Sequence, residues 1–590
     1  MQSPTRRTLL TAAAAMAAAS PALAAKQEAG GDEALLALPS RAAAMRTRIA
    51  AGTGAILCAG YARAGDRGPA LYARAEQQPA HAGKFRSADG AWWELAENRL
   101  NPFMFGAKAA RRVDDAPAIQ AMFDCIAAKR IAHPVQFLGA QYWVAKPITL
   151  PTIPAFVTLD IDGGGALLAT DAPIAIFTRL PRDQAEASAM IGQSHYDIHH
   201  FEFRGSGKAG QTGLHIGAAY GNVVRGCTFS ALEYGSIGTF CLGSAWRDNL
   251  YHHCSARALV LQTGTGYDQG VVWPGSSEPN SPCHVNVIEN CRVFGHPRQK
   301  SAFGIFGCNG VRVNGCISEG QGGGIDLHFD YQGSPTVKEF HVDTFHCENP
   351  NAALNLKVRA SGKVFIDRLI RSHPAALYDA QGSVNCEVLI RGLSWLGNLP
   401  EATGKGANPN GRWFYHSNGN GHGAKTEGSK SSGVGFRFDE CIESAWEAIS
   451  DPKRWEGGEL PYMLHVRGIR RANGGVMEWS NAPIQFASPI AFADNSTLAA
   501  MKTGTVRPTT TMVPPYASVS ETFEVEGLLA THHSVTLNPQ HGMYAPPPGI
   551  AWNAWIEREG AITLRLTNVT AREIALKSGA LWVYSAPRRG

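Results

Sequence analysis

The 590-residue sequence predicts an all-β fold: a parallel β-helix, or solenoid, with an N-terminal capping helix and a small C-terminal β-sandwich. Three observations predict it: a recurring turn-and-anchor pattern, the strand-forming composition of each repeat, and an amphipathic stretch just before the repeats. The pattern is clearest in V-R-V-N-G-C-I-S-E-G-Q-G-G-G-I-D-L-H-F-D, residues 311–330. Apolar Val313 lies three before an anchor, turn-forming Gly315 one before it, and Cys316 is the anchor. The same register fits Phe201, Cys227, Cys254, Cys291, Phe345, Leu369, Leu393, Ser417 and Cys441. Successive spacings are 26, 27, 37, 25, 29, 24, 24, 24 and 24 residues. Fixed periods of this size mark a solenoid.

Each repeat is short and rich in β-branched residues, as in N-V-V-R-G-C-T-F, which favours strands over helices. The residue before the anchor is Gly226, Asn290, Gly315, His200 or His253, types that tolerate left-handed backbone at a sharp bend. A coil of this length cannot bury its own apolar face, so coils stack. Cys227, Cys254, Cys291 and Cys316 share the inward anchor position, which predicts a ladder of buried free thiols packing as small hydrophobes. Stacked strands lie about 4.8 Å apart, so inter-coil disulfides stay open as an alternative. No C-x-x-C pair exists, which gives a structural zinc site little support.

Composition agrees: 44% hydrophobic residues with 64 Gly and 34 Pro describe a turn-rich β protein, not a disordered one. A net charge of +5 is compatible with an acidic glycan and makes no argument for nucleic acid. Residues 1–25 read as a cleaved export signal. Arg6 and Arg7 precede an apolar run, and Ala22-Leu23-Ala24 is a small-x-small cleavage site. The paired arginines resemble a twin-arginine signal, an ordinary secretory signal being the alternative. A periplasmic or extracellular protein is expected. No later run is long and apolar enough to span a bilayer, so no membrane anchor is expected.

Residues 26–100 form a preamble, with a helix expected over 32–49, a hairpin turn at Asp89-Gly90, and Trp92-Trp93 in packing roles. In the 105–124 stretch, Asp115 suits a helix N-cap and Pro117 the first turn. Ile119, Met122, Phe123 and Ile126 make one apolar face. That face would cap the open end of the solenoid.

F-G-A-K-A-A-R-R-V-D-D-A-P-A-I-Q-A-M-F-D, residues 105–124, resembles the opening motif of pectate-lyase-superfamily β-helices: F-G-A, a turn, D-D, then A-I-Q. Ala-Ala-Arg stands where that motif has Gly-Asp-Gly. The stretches at 60–74 and 84–95 are similar to the short β-module before the β-helix in phage tailspike-like and bacterial pectate-lyase-like proteins. The resemblance covers roughly residues 60–395. It implies a right-handed coil, a substrate lying along the outer face of one strand stack, and a monomer or homotrimer acting on polysaccharide.

The β-helix is expected over 101–505 and the β-sandwich over 510–590. The 264–284 insertion offers Tyr267, Asp268 and Trp273 as binding candidates, because loops on solenoids gather on one face. A second insertion spans 403–433. In the C-terminal part, Trp552, Trp555 and Tyr544 suit core or intersubunit packing better than sugar binding.

Chemistry is sought on the strand after the bend. In G-I-D-L-H-F-D-Y, Ile325, Leu327 and Phe329 alternate inward, so Asp326, His328 and Asp330 are expected outward. One coil later Asn355, Lys357 and Arg359 fall at matching offsets from their anchor, giving a two-by-three polar grid. A solvated, salt-bridged face is the simpler account of such a row. The functional account is β-elimination of a uronate sugar. Lys357 and Arg359 neutralise the carboxylate, His328 or Lys357 removes the α-proton, and Tyr331, Tyr267 or Tyr378 protonates the leaving oxygen. Asp326 completes the catalytic set, and Asp330, Asn355, Tyr267, Trp273 and Tyr331 the binding set. No metal is required, although Asp326 and Asp330 offer a poor Ca²⁺ site. A hydrolase needs two carboxyl groups about 5–5.5 or 6.5–9.5 Å apart, and would have to recruit Glu319, Glu348 or Asp268. A non-enzymatic glycan-binding or structural surface protein is the competing class, since fold does not decide function.

Overall fold

The computed structural model describes residues 35–266, 272–276, 282–320, 324–331, 339–349, 352, 354–371, 376–379, 383–395, 414–415, 434–440, 449, 464–470, 476–480, 490–491, 497–530, 533–539, 546–576 and 582–589. The expected export signal and the 403–413 and 416–433 parts of the second insertion lie outside them. The chain divides into two compact units, residues 1–482 and 483–590.

The first unit opens with a five-stranded sheet in the order Leu35–Leu38, Ala55–Cys58, Ala70–Ala75, Trp92–Leu95, Lys84–Arg86. The helix expected over 32–49 is confined to Arg41–Arg46, because Leu35–Leu38 pairs in parallel with Ala55–Cys58. Pro39 separates the two, lacking an N–H and steering Leu38 to extended backbone. Ser40 then caps the short helix, its hydroxyl accepting from Ala43 N at 3.1 Å. Gly90 takes φ 94° in the expected hairpin turn. Trp93 is buried, stacked on Phe85 at 6.3 Å with the Arg74 guanidinium 4.6 Å above it.

The capping helix is Ala116–Lys129. Ile119, Met122, Phe123 and Ile126 are all fully buried, as their spacing predicts, and each such burial is worth about 2 kcal/mol. Phe123 meets Phe177 of the first coil at 5.9 Å. Gln120 exchanges hydrogen bonds with the backbone of Thr149, on the edge strand Ile148–Thr149. A side chain thus satisfies the edge that another strand would otherwise claim. The capping chemistry differs from expectation. The Asp114 carboxylate accepts from Ala116 N at 3.1 Å, whereas Asp115 turns inward and accepts from the N–H groups of Lys108 and Ala109.

Beyond the helix, strands stack coil upon coil in parallel register, from Leu159–Ala169 through Tyr196–Arg204 to Glu339–Glu348 and Ser361–Arg371. The interior is filled by in-register columns. Phe203, Phe229 and Tyr251 stack at 5.1 and 5.0 Å along one of them. The residue before each expected anchor adopts left-handed backbone wherever it is described. The φ values are 58° at His200, 59° at Gly226, 52° at His253, 52° at Asn290, 61° at Gly315, 55° at Thr344, 56° at Arg368, 63° at Gly392 and 57° at Glu440. Even β-branched Thr344 is held there, so the stacking overrides local preference.

One anchor, Cys254, falls out of the expected row. Ala245–Arg247 pairs with Val223–Arg225 on one side and Val287–Glu289 on the other. The anchor between Cys227 and Cys291 is therefore Asn249, whose side-chain oxygen accepts from Cys227 N at 2.9 Å. Cys254 follows the next bend of the same coil. The 264–284 insertion thus falls within one long coil. Val384–Arg391 pairs directly with Val434–Asp439, so no further strand of this sheet lies between them; the expected anchors Ser417 and Cys441 lie outside the described residues. The described cysteines are all buried free thiols. Burial pushes Cys227 and Cys254 up to about 12.

The second unit consists of small antiparallel sheets. One runs Ile490–Ala491, Thr497–Val506, Trp582–Arg589, Thr536–Pro539, another Ser518–Glu524, Ala561–Asn568, Ile550–Arg558. Ile562, Leu564, Leu566, Trp582 and Tyr584 share its core. Because Thr497–Val506 pairs with Trp582–Arg589, this unit begins before the expected residue 510. Trp552 meets Trp582 edge-on at 5.6 Å and Trp555 lies under Arg565, while Tyr544 lies outside the described residues.

Candidate functional site

The register of the expected grid is present. Ile325–Asp330 pairs in parallel with Leu354–Arg359, setting His328 beside Lys357 and Asp330 beside Arg359. Asp330 faces the Arg359 guanidinium at 3.7 Å, and that guanidinium lies 5.2 Å above the Tyr331 ring. Glu319 faces Arg292, and Glu348 faces His346.

The orientation of the grid differs. Asp326 and Asn355 do not point outward: both are buried, joined by a 2.7 Å hydrogen bond. Ser318, in register with core residues Val293 and Cys347, donates to Asp326 at 2.6 Å. Leu327 is also buried in the core, so two successive residues turn inward at the start of this strand and the two-residue alternation fails there. Desolvation raises the Asp326 carboxyl to about 6, against the opposing hydrogen bonds from Ser318, Asn355 and Asn349. Arg371, buried close by, is lowered to about 10 by desolvation, partly offset by Cys347 and Asp326. Asp326 is engaged by Ser318 and Asn355 whereas the buried Asp330 faces Arg359, so the two carboxylates do not converge on a calcium ion.

His328 does point outward but is only 6% exposed, edge-on to Phe306 at 5.1 Å. Trp273 is also buried, not a binding surface. It packs with Ala187, Met190 and Ala218, and its indole donates to Gln184 at 3.1 Å. Tyr378 is fully buried. Tyr267 and Asp268 lie outside the described residues. Among the described residues of the expected set, Lys357 and Arg359 remain accessible.

An open groove of 320 Å³ lies instead on the strands before the bend. Two outward columns build it by register: Arg312, His341, Phe365, Leu389, and beside them Asn314, Asp343, Asp367, Arg391. His341 and Phe365 stack at 4.8 Å and form a flat half-buried platform. Arg368 reaches Asp343 at 3.1 Å, and Arg391 faces Asp367 at 3.7 Å. His341 has Glu339 3.5 Å away. Sequence reasoning passed over this groove although its signal was present. The columns are the residues four and two before the anchors Cys316, Phe345, Leu369 and Leu393, on the opposite side of the bend from the expected grid.

No protein-family model and no curated protein matches the chain. Among solved structures it is similar to the Acinetobacter baumannii phage AM24 tailspike protein, with 11% identity, 92% of this chain and 93% of that one covered, and a TM-score of 0.43. It is similar to Pantoea stewartii WceF, described as a glycan biofilm modifying enzyme with a tailspike-like parallel β-helix fold, at 11% identity, 93% and 70% coverage and 0.34. The Azotobacter vinelandii mannuronan C-5 epimerase AlgE4 A-module gives 12%, 64%, 92% and 0.38. The chain is a parallel β-helix protein. Its own parallel strand pairings show this.

Proposed function

We propose that this protein cleaves an acidic, uronate-containing polysaccharide by β-elimination in the groove across Arg312, His341, Asp367 and Arg391. The observation carrying this reading is the groove's donor set: two guanidiniums, an imidazole and a flat ring platform, aligned over four coils and open to a polymer. A guanidinium neutralises the uronate carboxylate and acidifies the adjacent C–H. His341 takes that proton. The electron pair forms the new C=C as the glycosidic C–O bond breaks, and the departing oxygen is protonated from solvent. From the expected signal in residues 1–25, the proposed place of action is periplasmic or extracellular.

Asp343 and Asp367 favour a second reading, a glycoside hydrolase. They are register partners on adjoining strands, about 4.8 Å apart along the stack, close to the roughly 5–5.5 Å of a retaining carboxyl pair. The His328, Lys357 and Arg359 row remains the rival location for elimination.

The test is incubation with a panel of uronate-containing and neutral polysaccharides, following ultraviolet absorbance of unsaturated ends together with new reducing ends. Both signals are expected on a uronate polymer, at least 100-fold weaker in His341→Ala and preserved in His328→Ala. Loss in His328→Ala and Lys357→Ala alone moves the chemistry to the rival row. Reducing ends without absorbance, abolished by Asp343→Asn or Asp367→Asn, mean hydrolysis. Retained binding with neither signal sinks the enzyme reading.

A further inference from the structure

At the bend before the first anchor, Phe201, several coils along the stack from the groove, Asp162, His199 and His200 bring three ligating atoms together. Asp162 and His199 are register partners on adjoining strands. His199 Nδ1 and His200 Nδ1 are 3.1 Å apart, and each lies 3.4 Å from Asp162 Oδ1. Neighbours on a regular strand point to opposite faces. The left-handed backbone at His200, φ 58°, breaks that alternation and aims both rings at one point. Gly226 on the next coil leaves space for the His200 ring, since a Cβ there would lie 3.1 Å from its Cδ2.

We propose that these three side chains form a binding site for a zinc-class divalent metal ion. Four-coordinate zinc with bonds of about 2.0–2.1 Å sets its ligands roughly 1.6 bond lengths, about 3.3 Å, apart. The observed triangle of 3.1, 3.4 and 3.4 Å has those edges. The surroundings are those of a supported site. His199 Nε2 lies 2.7 Å from Asp160 Oδ1, which places the ring proton on Nε2 and leaves the Nδ1 lone pair for the metal. Asp162 is oriented by Gly164 N–H, 2.8 Å from Oδ1. Arg225, on the neighbouring coil, is held by Asp197 through two 3.0 Å bonds, which offsets its charge near the site.

The donor set decides the class of ion. Two imidazoles and one carboxylate suit zinc and its first-row neighbours, whereas calcium takes oxygen ligands throughout. The His199 side chain is 9% exposed and that of His200 55%, so the pocket is walled on one side and open on the other. A water molecule completes the coordination there, the pattern of three protein ligands and one open position. Among the described residues, this set and the overlapping Asp160, Asp197 and His199 are the groups of three such side chains that converge. In the overlapping set Asp197 is engaged by Arg225, and Asp160 acts through His199.

The experiment uses tag-free, full-length protein stripped with a chelator, then dialysed against zinc chloride with metal quantified per chain. Cobalt(II) substitution gives a visible-band readout of four-coordinate geometry. One zinc per chain is expected, with a raised unfolding midpoint. His200→Asn, whose new residue tolerates the left-handed bend, binds at least 100-fold more weakly while keeping the wild-type circular dichroism. Asp160→Asn, which touches no metal, weakens binding by about 10–100-fold. His253→Asn, at a comparable bend outside the site, binds as wild type. Absence of saturable zinc binding overturns the proposal and leaves a His–His hydrogen bond. Equal binding by wild type and His200→Asn overturns it too, as does calcium binding that matches zinc.

Discussion

Burial of Asp326 among Ser318, Asn349 and Asn355 raises its carboxyl from the ordinary 3.8 to about 6. The folded state therefore holds this proton more tightly than the unfolded chain. Its contribution to stability is fully present below about pH 4 and is lost as pH rises through about 6. The shift corresponds to about 3 kcal/mol for this fully buried group. Asp326→Asn removes the titration while keeping an amide for Asn355 to bond. The stability of wild type relative to Asp326→Asn should fall by about 2 kcal/mol between pH 4 and pH 7, read as urea midpoints. A pH-independent difference would mean the carboxyl is solvated and faces outward. The residue types of this cluster were legible in the sequence. Its inward turn was not, because alternation counted from Leu327 and Phe329 assumes a strand that is regular from its first residue.

At the scale of the bend, one backbone state recurs with changing side chains. Gly315 and Thr344 occupy equivalent positions on adjoining coils, at φ 61° and 55°. Left-handed backbone costs an L-residue about 1–2 kcal/mol, and a β-branched residue is the worst placed to adopt it. Gly315→Val is expected to destabilise by about 2 kcal/mol. Thr344→Gly is expected to stabilise by about 0.5 kcal/mol, the relief being partly cancelled by glycine's greater unfolded-state entropy. Denaturant midpoints of equal sign for the two variants would sink this account. The bends were legible because Gly, Asn and His recur before the anchors. Thr344, Arg368 and Glu440 carry no such signal and are set there by the period alone. Where two bends compete, as at Asp248 and His253, periodicity chose the wrong one. Only the pairing of Ala245–Arg247 with its neighbours selects Asn249 over Cys254.

For the whole molecule, two units with separate cores predict two unfolding transitions. Trp582 sits in the core of the second unit and against Trp552. Trp582→Ala should weaken that unit by about 3–5 kcal/mol and leave the β-helix transition in place. Calorimetry that shows one transition, shifted as a whole, would mean the units unfold together. The division was legible from the change to short alternating strands. Its position was not, because Thr497–Val506 looks like one more coil until Trp582–Arg589 is seen to pair with it.

The solenoid, the capping helix and the buried thiols follow from local chemistry, most of it repeated at a near-regular interval along the chain. The 24-residue steps, the left-handed residue types and the apolar face of 116–129 need no knowledge of distant partners. Which coil sits on which, and so which side chains become neighbours, depends on pairings between distant strands. Arg312, His341, Phe365 and Arg391 form a groove, and Asp162, His199 and His200 a ligand triangle, through pairings between residues tens of positions apart. Insertions of unequal length break the simple period. Register is therefore settled by the hydrogen bonds and core contacts of stacked strands, not by counting along the chain.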